Sequence, residues 1–180
     1  MPDPTEIVRT YIRAKDGNRP LFIREAFAED AELEMNLKTD AISFPNSVQG
    51  LEAITDVLIR RFAIDYANVF TFCLSRPSAT DQTNFACHWL VGLSAKADGA
   101  IRVGCGSYDW HFASDKFGLV DKLTINIDVM NVLPKAAFKP IMDWLSDIPY
   151  PWCTPDEAVR NMPSINGLGP IKTYLEEIQP

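Results

Sequence analysis

The sequence predicts an α+β fold, and three observations predict it. Helical periodicity dominates the first 64 residues. From about residue 68 to 130 the apolar period changes from 3.6 to 2 and stays there. Turn chemistry at Arg76-Pro77-Ser78, Asp98-Gly99 and Phe117-Gly118 then cuts that stretch into consecutive strands. Helices followed by a run of antiparallel strands argue against a doubly wound α/β fold. With 180 residues, 47% of them hydrophobic, the chain is long enough for one domain with a sizeable core.

In chain order, Asp3 is placed to cap a helix, with Pro4 at its first position and Glu6 in capping-box spacing. Ile7, Val8, Tyr11 and Ile12 share one face, and Asp16-Gly17-Asn18 ends the helix. A second short helix is expected over about 19–28, with Phe22, Ile23, Ala26 and Phe27 inward. In 31–37, Ala31, Leu33, Met35 and Leu37 alternate with polar residues, as in a half-buried strand. Residues 38–49 read as a loop. A third helix over about 50–64 carries an apolar stripe of Leu51, Ile54, Val57, Leu58 and Phe62. Strands are expected at about 68–75, 84–95, 100–112 and 119–130.

The rest of the chain differs. Eight of the 13 prolines follow residue 133, which argues against a second sheet. A helix is expected over 135–145, with Pro140 restarting or kinking it. Thr154-Pro155-Asp156-Glu157 is a capping box opening a short helix, and 170–178 suits one more. The division expected is a domain over 1–133 and a Pro-rich helical tail over 134–180, packed on that domain or on a partner subunit.

Composition narrows the function. Seventeen basic against 24 acidic residues give a net charge of −7, and no basic run exceeds Arg60-Arg61, so nucleic acid is not an expected partner. No stretch approaches the roughly 20 apolar residues of a membrane span. Asp3, Glu6 and Arg9 interrupt the start of the chain, so no secretory leader is expected, and the expected location is cytoplasmic. Cys73, Cys87, Cys105 and Cys153 show no metal-binding spacing. With only His88 and His111 beside them, they read as buried thiols, and no metal is expected. No cofactor is expected either. Gly104-Cys105-Gly106 lacks the third glycine of a dinucleotide fingerprint, and there is neither a Walker sequence nor a G-x-S-x-G elbow.

The segments IVRTYIRA (7–14), AFAEDAELEM (26–35), QGLEAITDVL (49–58) and GLVDKLTINIDV (118–129), in that order, resemble the nuclear transport factor 2-like superfamily. Its members include SnoaL-type polyketide cyclases, ketosteroid isomerases and scytalone dehydratases. The resemblance covers roughly residues 5–130. It implies a cone: a bent antiparallel sheet closed on its concave face by helices, around an apolar pocket, with pairing of two copies through the sheet. It places Tyr11 at the oxyanion-binding tyrosine of the isomerases, but Met35 at their base and Trp110 at their second acid. Methionine cannot take a proton, so steroid isomerase chemistry is disfavoured. Asp16 matches a dehydratase aspartate, although a helix stop explains it as well. The dehydratase histidine positions fall near Thr71–Phe72 and Gly106–Ser107.

Alternation offers an independent reading of the pocket. Phe85, Cys87, Trp89, Val91 and Leu93 form one apolar face of their strand, with His88 outside, and Leu123, Ile125 and Ile127 face inward on theirs. On 100–112 the apolar set switches from Ile101 and Val103 to Tyr108, Trp110 and Phe112, which predicts a β-bulge at Gly104–Gly106. The expected ligand-binding wall is then Met35, Cys87, Trp89, Tyr108, Trp110, Ile125 and Ile127, with Tyr11 as its polar handle. Alternatively, these side chains fill a collapsed core. The opposite parity would bring Asp109 and His111 inward beside Tyr11, a carboxylate, an imidazole and a phenol able to move protons.

The expected function is therefore a SnoaL-like pocket for a flat hydrophobic molecule. If catalytic, it would be a cofactor-free isomerase, lyase or cyclase using Tyr11 with Asp109 or His111. The alternative is a non-catalytic binding or protein-interaction module, and a homodimer is expected in either case.

Overall fold

The computed structural model describes residues 3–78 and 82–179. The order of elements follows the sequence patterns except at β2, a short strand where 38–49 reads as a loop: helix α1 (Pro4–Asp16), a 3₁₀ turn (Pro20–Glu25), β1 (Phe27–Leu37) and β2 (Ser47–Gln49). A continuous helical segment comes next, α2 (Leu51–Thr55), a π-helical stretch (Asp56–Arg61) and α3 (Phe62–Asp65). Four strands follow, β3 (Tyr66–Cys73), β4 (Asn84–Ala95), β5 (Ile101–Phe112) and β6 (Val120–Leu133). Helices α4 (Phe138–Asp147), α5 (Pro155–Arg160) and α6 (Gly169–Glu177) complete the chain.

Local chemistry accounts for the helix ends. The Asp3 carboxylate accepts from the Thr5 N–H at 3.0 Å. Glu6 pairs with Arg9 instead of closing a capping box. The box at Thr154 and Glu157 is complete. Pro140 lies in the first turn of α4, where its missing N–H has no intrahelical partner to lose. The second helix expected over 19–28 is only a 3₁₀ turn. With three residues per turn it buries Ile23 and leaves Phe22 outside.

The strands form one open six-stranded sheet in the order β2-β1-β6-β5-β4-β3. All neighbours are antiparallel except β1 and β6, which run parallel. The wholly antiparallel sheet expected from sequence is thus corrected to a mixed one. Alternation specifies which face a residue takes, not the direction of its strand. α1 and the α2–α3 segment close the concave face over a core of Ile7, Val8, Ile54, Leu58, Leu33, Leu123 and the aromatic residues of β5.

A second core lies on the other face. There Phe72, Leu90, Ile101, Val103 and Cys105 of the sheet are covered by Ile141, Trp144, Leu145, Ile171 and Leu175 of α4 and α6. This explains the apolar switch on 100–112. Register between β4 and β5 runs unbroken from Asn84↔His111 to Ser94↔Ile101, so β5 carries no bulge against β4. Ile101, Val103 and Cys105 face outward beneath the C-terminal helices, and Tyr108, Trp110 and Phe112 face inward. The bulges belong to β6, where Asp128 and Asp121 are the unpaired extra residues.

Candidate functional site

Between the helices and the concave face lies a small cavity of about 50 Å³. It is a thin slot. Met35, Trp89, Val91, Leu93, Tyr108, Ile125, Ile127 and Met130 form its sheet side, and Tyr11, Lys15, Leu58 and Phe62 its helical side. Ile42 and Phe44, from the segment between β1 and β2, reach over it, with Phe44 stacked on Phe62 at 6.3 Å. Arg102 pins that segment by donating from Nε to the Ala41 carbonyl at 2.9 Å, and its guanidinium lies over Tyr66.

The slot owes its depth to Gly106. A Cβ there would lie 2.6 Å from Cζ2 and 2.8 Å from Cε2 of the Trp89 indole, so only a bare backbone lets the ring lie back against the sheet. Trp89 Nε1 is buried without a hydrogen-bond partner. Tyr11 and Tyr108 meet edge to face at 6.0 Å. Burial pushes both phenols above their ordinary range, so they stay protonated at neutral pH.

The polar end of the slot was not among the expected sites. Lys15, 8% exposed, follows Tyr11 by one helical turn and so continues the apolar face of α1. Its ammonium donates to Thr71 Oγ1 at 2.8 Å, stands 3.2 Å from Asp16 Oδ1, and lies 4.8 Å over the Phe62 ring. The Asp16 carboxylate also accepts from the Thr71 N–H (2.7 Å), the Thr71 hydroxyl (2.8 Å) and the Tyr150 hydroxyl (2.8 Å). Asp16 therefore does more than stop a helix. The signal was present in the sequence: a lysine at i+4 from Tyr11 on an otherwise apolar stripe.

Among the expected wall residues, Met35, Trp89, Tyr108, Ile125 and Ile127 line the slot with Tyr11. Cys87 and Trp110 lie in the same apolar core but outside the lining. Trp110 is packed against Tyr11 at 5.1 Å and Tyr108 at 5.4 Å. The alternative placement of Asp109 and His111 inside the cavity is corrected. The unbroken β4–β5 register turns both to the outer face, where they are exposed, and His111 pairs with Asp121. His88 is also on that face, 2.8 Å from the Tyr174 hydroxyl of α6.

No family model matches the chain, and no curated protein matches it. Solved structures do match its fold. One is a protein of Mycobacterium tuberculosis in complex with estradiol-17beta-hemisuccinate, at 15% identity and a TM-score of 0.57, covering 72% of this chain and 98% of that one. A second is a hexachlorocyclohexane dehydrochlorinase, at 13% identity and a TM-score of 0.58, covering 71% and 84%. The third is a nuclear transport factor 2-like protein from Burkholderia thailandensis, at 13% identity and a TM-score of 0.56, covering 71% and 92%.

Proposed function

From a chain with the nuclear transport factor 2-like fold, a small-molecule-binding fold, we propose a pocket protein that takes one flat, largely apolar molecule between Trp89 and Phe62. The observation that carries this reading is the slot itself, apolar in its lining but for Lys15, Thr71 and the hydroxyls of Tyr11 and Tyr108. Aromatic faces on both sides suit a planar ring system. Among the structural neighbours, a computationally designed binder of 17-OHP and the estradiol-hemisuccinate complex supply parallels of similar ligand shape.

A second reading, cofactor-free isomerase or lyase chemistry, is favoured by the Lys15–Asp16 pair beside Tyr11. It places proton transfer at those groups and not at Asp109 or His111. Titration with naphthalene, followed by tryptophan fluorescence, tests the binding reading: saturable quenching is expected, and none at any concentration would refute it. Tyr11→Phe should retain that binding, and turnover that survived it would remove Tyr11 from any catalytic role.

The reading extends to location and assembly. Cys73 and Cys87 are buried free thiols of the concave core, which fits a reducing compartment such as the cytoplasm. A homodimer paired through the sheet would use the part of the outer face that α4–α6 leave bare, around Ser107, Asp109 and Asn126. Sedimentation equilibrium reads this directly, and a monomer at all concentrations would exclude it.

A further inference from the structure

Resting on the binding reading above, we infer that Lys15 recognises the ligand through a neutral carbonyl oxygen, and that Tyr150 of the C-terminal segment holds Lys15 in place by way of Asp16. The polar groups of the slot lining and around Lys15 can be counted as donors and acceptors. Of the three N–H donors of Lys15, Thr71 and Asp16 face two, and the third is left to the slot and to the Phe62 ring that lines it. Tyr11 and Tyr108 add two hydroxyls on the slot wall, each with a proton to donate. Trp89 Nε1 has no partner at all.

The charged acceptor, in contrast, is taken. Asp16 receives the Thr71 N–H, the Thr71 hydroxyl, the Tyr150 hydroxyl and the Lys15 ammonium. The Thr71 oxygen accepts from Lys15 and donates to Asp16. A molecule that brings a hydrogen-bond donor to this end finds no open carboxylate, whereas one that brings an acceptor oxygen meets unspent N–H and O–H groups. Leaving such groups unpaired in a buried site is costly, so the ligand that supplies the oxygen is selected.

The oxygen is that of a carbonyl rather than a carboxylate. Asp16 already balances the charge of Lys15, and a second carboxylate brought into the slot would be an uncompensated buried anion beside the first.

Tyr150 makes this arrangement depend on the C-terminal segment. It lies in the connection between α4 and α5, which runs along the edge strand: Pro151 O accepts from the Cys73 N–H at 2.8 Å, and Cys73 O from the Cys153 N–H at 3.1 Å. Trp152 enters the concave core. The Tyr150 ring stands edge-on to Phe72 and delivers its hydroxyl to Asp16 Oδ2. Tyr150 does not reach the slot. It is a positioning residue, fixing the carboxylate that fixes the ammonium.

The test compares naphthalene, 2-acetylnaphthalene and 2-naphthoate binding to the full chain, measured calorimetrically. The ketone is expected to bind about tenfold more tightly than the hydrocarbon, as for a hydrogen bond to a charged group. Lys15→Met should erase that preference. Tyr150→Phe should reduce it several-fold and leave naphthalene affinity within about twofold, which a merely structural role would not do. Preference kept in Lys15→Met would overturn the role of Lys15. Equal weakening of both probes in Tyr150→Phe would overturn its positioning role. Naphthoate as the tightest ligand would overturn the carbonyl. Naphthalene bound no less tightly than the ketone by the wild-type chain would sink this inference alone, whereas no binding of any probe would remove the pocket reading beneath it.

Discussion

Gly106 shows how a single backbone position can shape the slot. A methyl group there would lie 1.8 Å from the Asn126 carbonyl oxygen, a backbone atom with little room to retreat, and within 2.8 Å of the Trp89 ring. Gly106→Ala should therefore lower stability by about 1–3 kcal/mol and press Trp89 toward Phe62. Urea unfolding measures the first effect, and an unchanged midpoint would show that the packing is looser than described. At this scale the sequence was informative about apolar side chains and much less so about charged ones. Alternation identified Met35, Trp89, Tyr108, Ile125 and Ile127 because a period of two fixes their face. Lys15 escaped notice, and Asp16 could not be told from a helix stop, because their role depends on Thr71 and Tyr150, which lie 56 residues from Lys15 and 134 from Asp16 along the chain.

The elements themselves were largely legible. Capping chemistry located the beginnings of α1 and α5, and the change of period marked the start of the strands. What local pattern could not show was which surface would be covered. Ile101 and Val103 face away from the slot, yet they are as buried as Tyr108, because α4 and α6 lie over them. Two covered faces on one strand looked like a change of face within it. The close fit of α4 gives an element-level prediction. Leu145 is fully buried, and its Cδ1 occupies the space where a side chain at Gly92 would begin. Leu145→Ala should cost about 2–5 kcal/mol, since the rigid sheet beneath cannot collapse into the gap. Thermal or urea unfolding reads the loss. A cost near zero would mean that α4 is only loosely attached.

Across the whole molecule, the two cores bury ionisable thiols and phenols that remain protonated in the folded state. Burial raises the Cys73 and Cys105 thiols well above the ordinary 9.0, with the nearby Cys87 adding to the effect at Cys73, and pushes Cys153 up to about 12. Tyr11 and Tyr108 move in the same direction. A group whose folded pKa is raised contributes stability that is fully present below its unfolded value and is lost as pH rises through the folded one. The urea midpoint should thus be flat across neutral pH on account of these groups and fall steadily above about pH 9, as the thiols ionise in the unfolded chain alone. A midpoint that held constant to pH 11 would contradict the burial of Cys73, Cys105 and Cys153.

The binding of a planar molecule in the slot is tested most directly through the two indoles that distinguish the two cores. Trp89 Nε1 faces no protein acceptor, whereas Trp144 Nε1 donates to the Ala158 carbonyl at 2.9 Å beneath the C-terminal helices. In a ¹H–¹⁵N spectrum titrated with 2-acetylnaphthalene, the Trp89 indole signal, assigned by its loss in Trp89→Phe, should shift saturably while that of Trp144 stays in place. A Trp89 signal unmoved at saturating ligand, or one that moved only together with Trp144, would contradict a ligand in the slot.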